Sequence, residues 1–395
     1  MKNIARLFFA LFALVFGFGF QSCEDVKPEV TVKTHHVTDV TTTSVKIKGT
    51  TVITAGDVNF TDAGICISSK VSYPKINDSR VVSASGDLSE FVVSIANLSA
   101  DSVYKFRAFA STSDTIYYGI TYSFRPASIN IETIAVPGGA FTMGATSEQT
   151  NFAADIEKPA HSVTLSSFNI GKFEVTNSQF AAFLNSRQIS SGAASITSSG
   201  VSYKFLYTSA KGLYFDNASY SWKSPVGYEN RPVVNVTWYG ASEFCLWAGG
   251  RLPTESEWEF AARGGKSSAG YIYSGGNDAG LVGWFKTAFI ENEALEYYAQ
   301  TGGGKNANEL GIYDMSGNVW EWCSDWYAAY PSAAQTNPTG PTDAEALVTD
   351  SPVVNKVRRG GGWADPDATS LRVSKRASNL PSANAGSIGF RFAKQ

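Results

Sequence analysis

From residue 31 to residue 127, apolar and polar residues alternate with a period of two. Val45 and Ile47 alternate with Lys46 and Lys48; Phe91, Val93 and Ile95 share one face of a second run, and Tyr104, Phe106 and Ala108 one face of a third. Successive strand side chains point to opposite faces, so this pattern predicts strands with one buried face and one wet face. Gly, Asp and Asn gather between the runs, at TAGDVNFTDAG, KINDS and TSDT, where the chain must turn. About seven such strands in about 95 residues predict an all-β sandwich.

After residue 130 the period becomes helical. Thr176 with Gln179 opens NSQFAAFLNS, Thr237 opens WYGASEFCLWA, and Thr254 with Glu257 forms a capping box before ESEWEFAAR. Gly249 with Gly250, and Gly264 with Gly265, close the second and third helices. Phe180, Phe183 and Leu184 fall on one helical face, as do Phe244, Trp247 and Ala248. The rest is rich in Gly, Ser and Asn, with short strand-like pieces such as HSVTLSSFNIG and GFRFA. This predicts a loop-rich α+β domain, and the nine tryptophans, all beyond residue 220, supply the bulk to hold it. A chain of 395 residues accommodates two domains, 31–127 and 128–395.

The start of the chain follows neither pattern. Lys2 and Arg6 precede an apolar run from Leu7 to Phe20, too short to span a bilayer comfortably, and small Ser22 precedes Cys23. Residues 1–22 therefore predict a secretory signal. Phe20-Gln21-Ser22-Cys23 resembles a bacterial lipobox, which implies lipidation of Cys23 and attachment to a membrane through it. Residues 23–30 then form a tether, and its Glu24-Asp25 start resembles that of surface-displayed lipoproteins of the Bacteroidetes. The expected location is the outer membrane, facing the cell surface, with the periplasmic face as the alternative.

A net charge of −3 with 17% charged residues argues against a nucleic-acid partner. With Cys23 acylated, Cys66, Cys245 and Cys323 remain; they form no CxxC motif, so neither a disulfide framework nor a zinc site is expected, and pairing of Cys245 with Cys323 stays open. His35 and His36 would face opposite sides of a strand and His161 is distant, so no histidine metal set is expected.

Several stretches are more specific. PGGAFTMG, KPAHSVTLSSFNIGKFEVTNSQFAAFL, RPVVNVTWYGASEFCLWAGGRLPTESEWEFAARGG, ELGIYDMSGNVWEWCSDWY and VRRGGGW with a terminal GFRFA occur in this order. They resemble the successive signatures of the formylglycine-generating enzyme (sulfatase-modifying factor) family. The resemblance implies a fold of low secondary-structure content related to C-type lectins, often stabilised by calcium. In YDMSGNVWEW it implies one calcium ion held by Asp314, Gly317, Val319 and Glu321, the hard oxygen donors that calcium takes. SVYKFRAFASTSDTIYYGITYSF likewise resembles the last hairpin of fibronectin-III or immunoglobulin-like modules, here expected to act as a spacer.

Catalytic members of the family hold copper(I) between two cysteine thiolates and oxidise a substrate cysteine to formylglycine. Aligning RGGGW with the family pattern places those thiolates at Asp365 and Ser370 and a family serine at Gly362. Oxygen donors do not replace soft thiolates for copper(I), so copper is not expected and no catalytic residue is assigned. The family's disulfide positions fall on Cys245 with Phe392 and on Ala262 with Lys375, so neither bond is present. Asp365 and Asp367 flank Pro366, as a solvated turn or as a pair for a hard metal or acid–base work. Residues 351–395 hold eight Lys or Arg against these two acids. Gathered in one cleft, Trp320, Arg359, Trp363, Asp365, Arg372 and Arg376 would suit an anionic glycan; turned inward, the arginines would be ion-pair partners of the fold. The leading expectation is a lipoprotein whose degenerate domain binds or assembles with a protein partner. The rivals are a sulfatase-maturing oxidase or other enzyme, and a surface glycan-binding protein.

Overall fold

The computed structural model describes residues 29–395 except 79, 83–87, 101, 128, 150, 152, 191–194, 199–200, 210, 287–295 and 344–354. The signal, Cys23 and all but the last two residues of the tether lie outside the described residues. Among the described residues no helix is long and apolar enough to cross a membrane.

The period-two segment folds into eight strands: β1 (Glu29–Thr38), β2 (Val45–Ala55), β3 (Asp62–Ser68), β4 (Arg80–Val82), β5 (Glu90–Ile95), β6 (Tyr104–Ser111), β7 (Ile116–Tyr118) and β8 (Tyr122–Phe124). They form two antiparallel sheets, one ordered β1-β2-β5 and one β4-β3-β6-β7, with β8 also paired to β6. The predicted inner faces are buried, Val45, Ile47, Phe91, Val93 and Ile95 in one sheet and Phe106 and Ala108 in the other, with Tyr104 half-buried; Ile65 and Ile67 of β3 join them. Gly49 is required on β2, because a Cβ there would sit 2.2 Å from the Phe91 ring.

In the second part β9 (Thr133–Val136), β10 (Gly139–Met143), β11 (His161–Leu165) and β12 (Phe168–Gly171) precede α1 (Asn177–Ser186). Two hairpins follow, β13 (Ser195–Ser198) with β14 (Val201–Lys204) and β15 (Tyr214–Asp216) with β16 (Ser221–Lys223). Then come α2 (Trp238–Trp247), α3 (Glu255–Ala262), a single turn α4 (Ala279–Val282), and β17 (Trp320–Trp326), β18 (Gln335–Thr336), β19 (Lys356–Arg359), β20 (Arg376–Asn379), β21 (Ile388–Gly389) and β22 (Ala393–Lys394). The helices start at the predicted caps. Thr176 accepts from the Gln179 amide at 3.3 Å, Thr237 from Gly240 at 3.1 Å and Thr254 from Glu257 at 3.1 Å. Phe180, Phe183, Phe244, Trp247 and Phe390 then stack as one aromatic core. The sheet β20-β19-β17-β21 carries the loop that follows RGGGW.

The sandwich is docked on the second part. Its Arg125 amide donates to the carbonyl of Ser186 at 2.7 Å, and its Val40 amide to that of Trp247 at 3.1 Å. Ser186 and Trp247 are the last residues of α1 and α2, whose final carbonyls have no partner within the helix, so a backbone amide of the sandwich satisfies the last carbonyl of each. Arg187, paired with Glu243 at 2.6 Å, lies at the same seam. The histidines are spread out: His35 meets Thr50, His36 packs on Tyr122 at 4.3 Å, and His161 packs on Tyr330 at 5.0 Å. Burial, then the Arg187 charge, push His36 down to about 3.

Candidate functional site

After Arg359 the chain reverses through Gly360 and Gly361, both left-handed at φ +97° and +74°. A Cβ on Gly361 would lie 2.8 Å from the Ser370 carbonyl, so the loop closes only over glycine. The Gly362 amide then donates to Asp365 Oδ2 at 2.7 Å. Burial pushes the Asp365 carboxyl above its ordinary range, while the Gly362 amide and the nearby side chains of Trp320 and Ser370 pull the other way. The structure thus brings Gly362, Asp365, Ser370 and Trp320 together. Trp363 closes one side, its indole donating to the Gly386 carbonyl at 2.8 Å and its ring packed on Tyr297 and Tyr298. Asp367 turns away into solvent, accepts the Thr369 amide at 2.9 Å and caps the turn Ala368–Leu371. The two acids are therefore not an acid–base pair; Asp367 is a turn residue.

The anion groove is overturned by where its arginines point. Arg359, Arg372, Arg376 and Arg391 are buried, with 0%, 1%, 2% and 0% of their surfaces exposed. Arg359 pairs with Glu259, Arg372 with Glu157 at 2.7 and 2.8 Å, Arg376 with Glu255 at 2.6 and 2.8 Å, and Arg391 with Glu321 at 2.5 and 2.6 Å. Each guanidinium faces a carboxylate and donates further to backbone carbonyls or hydroxyls, although Nε of Arg359 is left without a hydrogen-bond partner, 3.5 Å from Glu255. The local excess of cations neutralises acids supplied by other segments. Trp320 is buried too, beneath the half-buried Arg358 at 4.4 Å. Cys66, Cys245 and Cys323 are all free and buried, so Cys245 and Cys323 do not pair. Burial pushes the Cys245 and Cys323 thiols far up, which leaves them protonated and unreactive.

The YDMSGNVWEW turn gathers three buried acids around one guanidinium. Both Glu321 oxygens are engaged by Arg391, and Oε2 also accepts the Trp258 indole at 2.7 Å, which makes Glu321 an ion-pair partner of the fold. Asp314, at φ +59°, accepts the Gly303 amide on Oδ2 at 2.8 Å, and its Oδ1 is buried without a hydrogen-bond partner. Glu174, between β12 and α1, accepts Asn318 on Oε1 at 3.0 Å, and its Oε2 is likewise buried and unpartnered. Burial pushes Asp314 up to about 6; burial, with Asp314 and Glu321 alongside, holds Glu174 well above the carboxylate range. Gly317 and Val319 lie on the same turn, and their carbonyls are hard donors; among the described residues no three His, Cys, Asp or Glu side chains converge on one metal position. Glu174 was passed over in the sequence. Its signal was an acid two residues before the Thr176 cap of an apolar helix.

Residues 123–395 match the sulfatase-modifying factor enzyme 1-like domain. The chain belongs to the sulfatase-modifying factor enzyme 1-like family. The formylglycine-generating enzyme of Streptomyces coelicolor is 34% identical over 288 residues, which cover 66% of this chain and 88% of that protein. The Mus musculus formylglycine-generating enzyme is 30% identical over 303 residues, 70% of this chain and 78% of its own. A second Mus musculus protein, named inactive C-alpha-formylglycine-generating enzyme 2, is 30% identical over 286 residues, 66% and 84% of the two chains. An active and an inactive mouse relative stand at the same identity, so overall similarity to the sulfatase-modifying factor family does not decide activity.

Proposed function

We propose that this chain is a membrane-anchored lipoprotein whose sulfatase-modifying-factor-like domain serves binding or assembly and has given up copper-dependent cysteine oxidation. One observation carries the reading: at the positions where the family resemblance puts two thiolates, Asp365 holds the Gly362 amide with Ser370 beside it, and the described cysteines are buried elsewhere. Two oxygen donors give copper(I) no soft ligand. The experiment is incubation of the purified chain with copper(I) and a cysteine peptide of sulfatase sequence, followed by mass spectrometry for the aldehyde. No aldehyde and no stoichiometric copper is the expected result; aldehyde formation would overturn the reading and make the protein a maturase.

Anchoring through Cys23 rests on the lipobox resemblance, and its test is incorporation of labelled fatty acid that Cys23→Ala abolishes. The strand order β1-β2-β5 against β4-β3-β6-β7 supports a fibronectin-III-like module between anchor and family domain. The docked seam supports a fixed support rather than a loose spacer. For one calcium ion, the donors that fit are Asp314 Oδ1 and Glu174 Oε2 with backbone carbonyls of the turn: two buried, unpartnered carboxylate oxygens short of positive charge. The ion would neutralise that cluster and fix the turn leading into β17.

A further inference from the structure

A cavity of about 400 Å³ lies where the start of α3, the end of β17 and the proline-rich segment 331–341 meet. None of its lining residues belongs to the group around Asp365. The cation on its wall, Arg376, is committed to the fold: both Glu255 oxygens and the carbonyls of Ile156 and Ala328 take four of its five guanidinium hydrogens. Two acceptors remain. His161 is 4% exposed, and its Nδ1 lies 3.2 Å from the Pro159 carbonyl. A carbonyl only accepts, so Nδ1 carries the proton in the neutral ring and Nε2 is left as a bare lone pair. That Nε2 is buried with no hydrogen-bond partner. Asp325, 5% exposed, accepts the Glu255 amide at 2.9 Å and the Ser324 hydroxyl at 2.8 Å on Oδ2 alone, so Oδ1 has no hydrogen-bond partner among the described residues. Burial first, then the Glu255 charge, push its carboxyl up to about 7, while the ammonium of Lys356, which donates to the Ser324 carbonyl at 2.9 Å, pulls the other way without offsetting them. Part of the wall is apolar, formed by Trp326, Tyr330 and the rings of Pro331, Pro338 and Pro341, beside the polar Ser256 and Gln335.

Bare acceptors, a deficit of positive charge and apolar walls together call for a hydrogen-bond-donating cation on a hydrocarbon body. Among the described residues no three His, Cys, Asp or Glu side chains are placed to hold a metal ion, which turns the choice to an organic cation. We propose that this cavity binds a primary ammonium group on a short aliphatic chain, with Asp325 and Nε2 of His161 accepting its hydrogens and the Trp326, Tyr330 and proline walls packing its methylenes. The site is independent of the chemistry at positions 365 and 370. A free amine and a lysine side chain of a peptide share this chemistry.

Calorimetric titration of the full chain at pH 8 tests the proposal with four probes. These are n-butylammonium, the methylamide of N-acetyl-lysine, tetramethylammonium, which has charge but no N–H, and n-butanol, which has the hydrocarbon without the charge. Saturable binding of n-butylammonium is expected, at least tenfold tighter than either control and at least tenfold weaker in Asp325→Asn. The lysine derivative separates the sources: binding comparable to butylammonium indicates a peptide side chain, and binding by the free amine alone indicates a small-molecule amine. Ala329→Trp, at an exposed residue of the cavity wall, blocks the mouth without touching the buried acceptors and should abolish binding even if Asp325→Asn folds poorly. Butanol binding as tightly as the amine, or amine binding unchanged in Ala329→Trp, overturns the proposal.

Discussion

Asp325→Asn should make the protein more stable as pH rises. In the fold this carboxyl is pushed from an ordinary 3.8 to about 7, chiefly by burial and next by Glu255. Below pH 3.8 the group is protonated both folded and unfolded and contributes no pH dependence. Between 3.8 and about 7 the folded state holds a proton that the unfolded chain has released, so stability falls with rising pH; above 7 the penalty is constant. A rise of roughly three units at about 1.4 kcal/mol each gives a ceiling of roughly 4 kcal/mol, and relaxation around the charge brings the expected effect to about 2–3 kcal/mol. Asparagine carries no such penalty and keeps a carbonyl for the Glu255 amide and the Ser324 hydroxyl. The assay is urea unfolding of both proteins from pH 4.5 to 8.5, read as the difference between variant and wild type so that every other titration cancels. That difference should move by about 2–3 kcal/mol in favour of the variant, mostly between pH 5 and 7. A flat difference, or one moving against the variant, would show that Lys356 holds Asp325 ionised at its usual value and would refute the reasoning.

Breaking a buried pair should be costly. Glu157→Gln, which leaves Arg372 without its carboxylate, should lose about 3–5 kcal/mol in denaturant melts, and replacing both residues by apolar ones should lose less; equal losses would mean that the pair itself stabilises the fold. Calcium at a hundred times its dissociation constant should stabilise the wild type by about 2.7 kcal/mol, seen as a higher melting temperature, and Glu174→Gln should abolish the rise; a rise unchanged in that variant would remove Glu174 from the site. Gly240→Ala, whose Cβ would lie 2.2 Å from the Phe205 carbonyl, should cost about 1–3 kcal/mol, whereas Gly386→Ala, with nothing within 4 Å, should shift the thermal midpoint little. Replacing Asp365 and Ser370 together by cysteine should change stability by no more than about 1–2 kcal/mol, since one hydrogen bond to the Gly362 amide is lost. Circular dichroism and a thermal melt check it, and an unfolded double variant would show that Asp365 holds the loop.

What the sequence disclosed was what is decided locally. A capping box spans four residues, so Thr176 with Gln179 and Thr254 with Glu257 could be read before any fold was known, and both caps are made. Alternation along a strand is equally local, and it placed Phe91, Val93 and Ile95 on the buried face. The two readings left open for the arginines could not be separated in the sequence because their partners are remote: Arg391 is 70 residues from Glu321, Arg359 is 100 from Glu259, Arg376 is 121 from Glu255, and Arg372 is 215 from Glu157. Counting charges in the last 45 residues therefore gave their excess but could not choose between a cleft and buried ion pairs. The seam was hidden for a related reason. It is made by backbone amides of Val40 and Arg125, which carry no signature in the side-chain pattern.

Those remote pairs also explain how the fold can outlast its chemistry. The loop bearing positions 362, 365 and 370 is gripped at both ends, by Arg359 where it leaves β19 and by Arg372 where it returns, and each arginine is held by a glutamate from another segment. Between the grips, the left-handed turns at Gly360 and Gly361 set the path of the backbone, and Gly360 and Gly361 are not among the positions where this chain departs from the catalytic pattern. Structural and reactive residues are thus interleaved in sequence but separate in energy: the buried arginines fix where the loop runs, and the side chains it presents are open to change. On the function proposed above, oxygen donors at 365 and 370 would remove copper chemistry without removing an ion pair, and the whole scaffold would be retained for binding or assembly. An active site whose ligands also held the core together would have taken the fold with it when they were lost.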